Sequence, residues 1–162
     1  MPPRMPTSTL RFISAVALLL AGALRAQSPN VLSVVPPEKV TVKFGSTAEV
    51  KLSVQLRPGY HCNSNMPADE YLIPLKLTWN PGALEAVEVV YPKAQMENYK
   101  FSDKPVSVFL GDFEILTRFK VAANAAPGLG AVTAKLRYQA CTDRMCLTPK
   151  TVDVTLPIAI VK

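Results

Sequence analysis

Apolar residues recur at every second position along most of the chain. Val40, Val42 and Phe44 alternate with Lys39, Thr41 and Lys43, and Val50, Leu52, Val54 and Leu56 alternate with Glu49, Lys51, Ser53 and Gln55. Leu75, Leu77 and Trp79 repeat the pattern around Lys76 and Thr78. It returns over 115–121, over 132–138, and in Val152, Val154, Leu156 and Ile158. A period of two marks a strand with one buried face. Turn-forming runs separate the stretches: Arg57-Pro58-Gly59, Asn80-Pro81-Gly82, Leu110-Gly111-Asp112 and Ala126-Pro127-Gly128. No window of a dozen residues carries a helical period. The spacing therefore predicts seven to nine short strands in an all-β, immunoglobulin-like antiparallel β-sandwich, built as a single domain.

Two stretches stand outside this pattern. Residues 28–38 read as an extended lead-in, because Pro36-Pro37 is incompatible with a helix or a central strand. Residues 92–105 are polar, hold Met96, Tyr99 and Phe101, and lack clean alternation. They read as a long loop, and long loops in compact domains often carry function. No internal repeat, low-complexity tract or linker interrupts the rest.

The N-terminus has the layout of an export signal. Arg4 and Arg11 precede an apolar run of 13 residues, 12–24, and Leu24-Arg25-Ala26 offers a cleavage point before Gln27. Crossing a bilayer takes about 20 apolar residues, and no second long apolar run follows. The expectation is a signal peptide at 1–26 and a mature chain at 27–162, periplasmic or secreted and not membrane-spanning. Three arginines would leave with the signal, lowering the formal net charge from +6 to +3. The remaining lysines (Lys39, Lys43, Lys51, Lys76, Lys93) are scattered, which argues against a nucleic-acid partner.

Counting removes most catalytic classes. There is one histidine, His61, so multi-histidine metal centres and blue-copper ligation are excluded. No nucleophile elbow, phosphate-cradling glycine loop or zincin helix occurs. No cofactor is implied. Met66, Met96 and Met145 are scattered and read as packing or loop residues rather than copper ligands. Trp79 reads as a core residue.

The informative segment runs from Tyr138 to Pro149 and contains Cys141 and Cys146, with four residues between them. Predicted strands at 132–140 and 150–158 hold both its ends. In an exported protein such a pair is normally oxidised. One reading is a structural staple, although so small a ring contributes only about 2 kcal/mol in the chain-entropy account. The other is a redox-active pair, because a short exposed ring in a loop is open to attack by another thiolate. Arg144 would favour the thiolate of the reduced form, and Asp143 would help move a proton. Spacing alone leaves both readings open. Zinc held by both cysteines with His61 and Cys62 is disfavoured, because neighbours on a strand point to opposite faces.

The run Tyr138-Gln139-Ala140-Cys141 to Cys146-Leu147-Thr148-Pro149, followed by an alternating last strand, resembles the N-terminal periplasmic domain of the thiol:disulfide interchange protein DsbD. Gly59-Tyr60-His61-Cys62-Asn63-Ser64-Asn65 and Tyr71-Leu72-Ile73-Pro74 fit the same family, so the resemblance covers nearly all of the mature chain. It implies an immunoglobulin-like fold and a protein-disulfide reductase activity. Electrons would arrive from a membrane-embedded partner through a thioredoxin-like domain. They would leave for periplasmic disulfide proteins, such as isomerases or cytochrome-maturation thioredoxins. Cys146 would form the mixed disulfide and Cys141 would resolve it. An aromatic cap loop is implied over the pair, with Phe101 the first candidate and Tyr99 the second.

Three departures from the family's pattern accompany the resemblance. Four residues separate the cysteines here, against five in well-known members. Aromatic positions beside the site fall on His61 and Asn63, and Cys62 between them is expected to turn into the core as a small hydrophobe. The chain ends at Lys162, where family members continue into a transmembrane domain, so the expected electron donor is a separate protein. Tyr138 either shapes the site or packs in the sheet. The competing class is a non-catalytic immunoglobulin-like binding module with one structural disulfide.

Overall fold

The computed structural model describes residues 30–162, and the expected signal peptide lies outside them. None of the described residues is helical. One sheet has the order β1 (Leu32–Val34), β3 (Thr47–Leu56), β9 (Phe113–Val121), β6 (Leu84–Val90). A second has the order β2 (Val40–Lys43), β12 (Lys150–Val161), β10 (Gly128–Tyr138), β5 (Lys76–Trp79). The inward positions of both form one core, in which Leu52, Val54, Ile115 and Phe119 meet Val132, Leu136, Leu156 and Ile158. Burying each such side chain stabilises the fold by about 1.5–3 kcal/mol. The outward positions of the first sheet carry ion pairs instead, Lys51 with Glu114 and Arg118 with Glu49 and Glu88. This is the all-β sandwich that the two-residue period predicts.

A third, smaller sheet has the order β11 (Ala140–Cys141), β4 (His61–Asn63), β8 (Val106–Leu110), β7 (Gln95–Glu97). The chain leaves β10 at Tyr138, turns through Gln139, and joins this sheet at Ala140. Gly111, with φ +61°, makes the tight turn that returns β8 into β9. Asp112 in that turn accepts the Leu56 N–H on Oδ1 at 3.1 Å, tying the small sheet to the end of β3.

Four local expectations need correction. The lead-in holds β1, whose fully buried Leu32 lies opposite Leu56. An edge strand needs partners on one side only, so three residues fit before Pro36-Pro37. The long loop likewise contains β7, paired to β8. The sandwich is not wholly antiparallel, because β2 runs parallel to β12. Phe44 leaves the alternation: β2 ends at Lys43, and Phe44 is half-exposed beside the Gly45 turn.

Candidate functional site

The register of the small sheet sorts its residues onto two faces. Cys141 lies opposite His61, and His61 lies opposite Leu110. Ala140, Cys62 and Phe109 form the next row, and alternation turns them the other way, into the main core. Cys62 is a free, fully buried thiol there, and burial pushes its pKa up to about 12. The face that carries Cys141 and His61 also carries Val106, Val108 and Leu110 of β8. With Leu72 these make a separate apolar cluster, against which Cys146, Tyr99 and Phe101 pack.

Cys141 and Cys146 are joined as a disulfide across a narrow hairpin. Thr142 N–H donates to the Met145 carbonyl at 2.9 Å, and Thr142 Oγ1 accepts the Arg144 and Met145 N–H groups at 3.3 Å each. Below the bridge, Leu147 N–H donates to the Ala140 carbonyl at 2.8 Å. The two sulfurs are unequal: Cys141 is fully buried, whereas Cys146 is only partly covered. Asp143 and Arg144 point into solvent and contact each other at 3.8 Å.

Tyr99 and Phe101 form one aromatic stack on His61, the residue opposite Cys141, and Tyr99, which the sequence ranks second, lies nearer to it than Phe101. Tyr99 stacks directly on His61, with centroids 3.9 Å apart and planes within 11°. Phe101 lies nearly parallel to Tyr99 at 5.4 Å and to His61 at 6.1 Å. The turn between them is fixed by Ser102 N–H donating to the Tyr99 carbonyl at 3.1 Å. Lys100 N–H donates to the Asp143 carbonyl at 3.3 Å, joining the aromatic loop to the disulfide loop through backbone alone.

His61 is buried, and desolvation lowers its pKa to about 4, so the ring is neutral near pH 7. Its Nε2 is enclosed and has no hydrogen-bond partner. Asn63 is fully buried; its Nδ2 donates to the Ile73 carbonyl at 3.1 Å and to Gln139 Oε1 at 3.0 Å. Gln139 Oε1 also accepts Ile73 N–H at 3.0 Å, and its Nε2 donates to the Leu147 carbonyl at 3.2 Å. This one amide binds β4, the Tyr71–Pro74 stretch and the far side of the disulfide loop together. Gln139 stands in the sequence motif, but no role for it was read there. A polar residue between buried Tyr138 and Ala140, two positions before a cysteine, was the available signal. Tyr138 belongs to the main core rather than to the capped face.

Fold and site together define an immunoglobulin-like β-sandwich that carries a short-ring disulfide in its smaller sheet, next to a loop whose aromatic side chains stack on His61. The family model described as "Thiol:disulfide interchange protein DsbD, N-terminal" matches residues 31–158, and the chain belongs to that family. Among solved structures it shares its fold with the N-terminal periplasmic domain of ScsB from Proteus mirabilis, at 12% identity and a TM-score of 0.51. That likeness covers 77% of this chain and 44% of the other, so the chain spans less than half of the solved relative. A family 123 glycoside hydrolase from Clostridium perfringens matches at 15% identity and a TM-score of 0.25, over 76% of this chain and 23% of that one, and carries no argument. No curated protein matches the chain.

Proposed function

We propose that this domain is a periplasmic electron relay, a protein-disulfide reductase module that passes two electrons through the Cys141–Cys146 pair between thioredoxin-like proteins. The observation that carries the reading is an asymmetric disulfide, one sulfur buried and one partly exposed, whose loop lies beside an aromatic loop that shares its apolar cluster. The staple reading is weakened by the same geometry. The two cysteines already face each other in a hairpin that backbone hydrogen bonds close, so the covalent link adds only about 2 kcal/mol.

The chemistry follows from access. A donor thiolate forms a bond to Cys146 Sγ, the S–S bond breaks, and its electron pair stays on Cys141 Sγ. The donor's second thiolate then attacks the mixed disulfide and releases Cys146, leaving this domain as a dithiol and the donor oxidised. Onward transfer reverses the roles. Cys146 thiolate attacks a target disulfide, and Cys141 thiolate resolves the mixed species. The donor is a thioredoxin-like domain fed by a membrane-embedded partner, and the acceptors are periplasmic isomerases or cytochrome-maturation proteins. Export through the 1–26 signal peptide places the domain in their compartment.

The test is the reduction potential of the pair in residues 27–162, equilibrated in graded thiol buffers and read as free thiols by alkylation mass shift. A relay is expected to fall between about −270 and −120 mV. A value below about −300 mV would mark a structural staple and overturn the reading.

A further inference from the structure

We propose that His61 biases the Cys141–Cys146 pair toward its reduced form, because its buried Nε2 gains a hydrogen-bond partner only when the disulfide opens. The inference rests on the relay reading and names a residue that sets its poise.

The placement comes from register. His61 and Cys141 are directly opposite on adjacent antiparallel strands, which sets their Cβ atoms about 4.5–5.5 Å apart on one face. Tyr99 closes the other side of the imidazole by stacking on it at 3.9 Å. Across the sheet the next residue in the row is Leu110, which offers no side-chain polar group. Nε2 is therefore a buried polar atom without a partner, in a ring only 3% exposed. Native structures leave few such atoms, and each one costs free energy for as long as it stays unpaired.

Opening the disulfide changes what this nitrogen meets. A disulfide sulfur has no proton to give and is a poor acceptor. When an incoming thiolate bonds to Cys146 Sγ, the electron pair of the broken S–S bond remains on Cys141 Sγ. As a thiolate, that sulfur accepts a hydrogen bond from Nε2–H. After taking a proton from solvent it is a thiol, and its S–H donates to a bare Nε2. Either tautomer of the neutral ring is satisfied by the reduced pair, and neither by the oxidised one. Burial keeps the ring neutral near pH 7, so the effect is hydrogen bonding rather than attraction to an imidazolium. An unpaired buried group shifts an equilibrium by about five- to a hundredfold, and sulfur is a weak partner, so the lower part of that range, up to about tenfold, applies.

The deciding experiment compares wild-type protein with His61→Phe and His61→Gln in glutathione buffers at pH 7. Phenylalanine keeps the stack on Tyr99 but removes the nitrogen. The His61→Phe equilibrium should move about tenfold toward the disulfide, equivalent to about 30 mV more negative. His61→Gln retains a donor and an acceptor and should stay within about threefold of wild type. Unchanged potentials in His61→Phe, or equal shifts in both variants, would overturn the inference. A readout without substitution guards against misfolded variants: the imidazole ¹⁵N resonances of wild type should shift on reduction at Nε2, and no shift would likewise refute it. The inference is read from the difference between variants and the relay reading from the wild-type value itself, so a wild-type potential below about −300 mV would sink the relay without touching the inference.

Discussion

Cys146 and Cys141 differ in exposure, and the difference orders their chemistry. Replacing Cys146 with Ser should abolish transfer to a thioredoxin-type partner, because the remaining sulfur is buried. Cys141→Ser should instead accumulate a mixed disulfide through Cys146, visible as a covalent adduct in non-reducing mass analysis. His61 gives a second residue-scale expectation. Its folded-state pKa of about 4 lies below the 6.5 of an unfolded chain, so the unfolded state binds the proton first as pH falls. Stability should therefore be complete above pH 6.5 and decline toward pH 4, by about 3 kcal/mol from this group. Urea titrations at pH 7 and 4.5 should show that difference in wild type, and His61→Phe should lose most of it. A slope identical in the two proteins would assign the acid sensitivity to other groups.

At the scale of elements, the aromatic loop stacks on His61 of β4 and meets the disulfide hairpin through one backbone hydrogen bond. Tyr99→Ala should leave the sandwich intact and raise the rate of reduction by dithiothreitol about tenfold, since most of the cover over His61 goes with it. A rate equal to wild type would show that the loop does not guard the pair. Gln139→Ala removes three hydrogen bonds from one junction, leaving Asn63, Ile73 and Leu147 short of partners. Chemical denaturation should show a loss of about 2–3 kcal/mol. The long alternating strands were legible in the sequence, because their period and turn residues are local, as was the cysteine pair's place in a connection between two of them. The short strands β1, β7, β8 and β11 were not read as pairing strands, and β4 was read as a strand without its partners: two to five residues give too little periodicity, and the partners are mostly distant in the chain. The same distance hid the junction at Gln139, which joins residues 66 and 76 positions away.

For the whole molecule, the core lies between two four-stranded sheets and owes nothing to the disulfide. Reduction should cost only about 2 kcal/mol, a fraction of the 5–15 kcal/mol typical of a domain, so the dithiol form should remain folded. Far-ultraviolet circular dichroism of the reduced protein should match the oxidised form, with a modest fall in the urea midpoint. Collapse on reduction would contradict a relay, which must survive both states. The third cysteine adds a consequence for biogenesis. A newly made, reduced chain carries three thiols, and three different intramolecular disulfides are open to it. Once β4 and β11 zip together, the pleat becomes a partition: Cys62 is sealed on one side while Cys141 waits on the other. Oxidation after that moment has a single outcome, so strand pairing acts as the proofreader of disulfide formation.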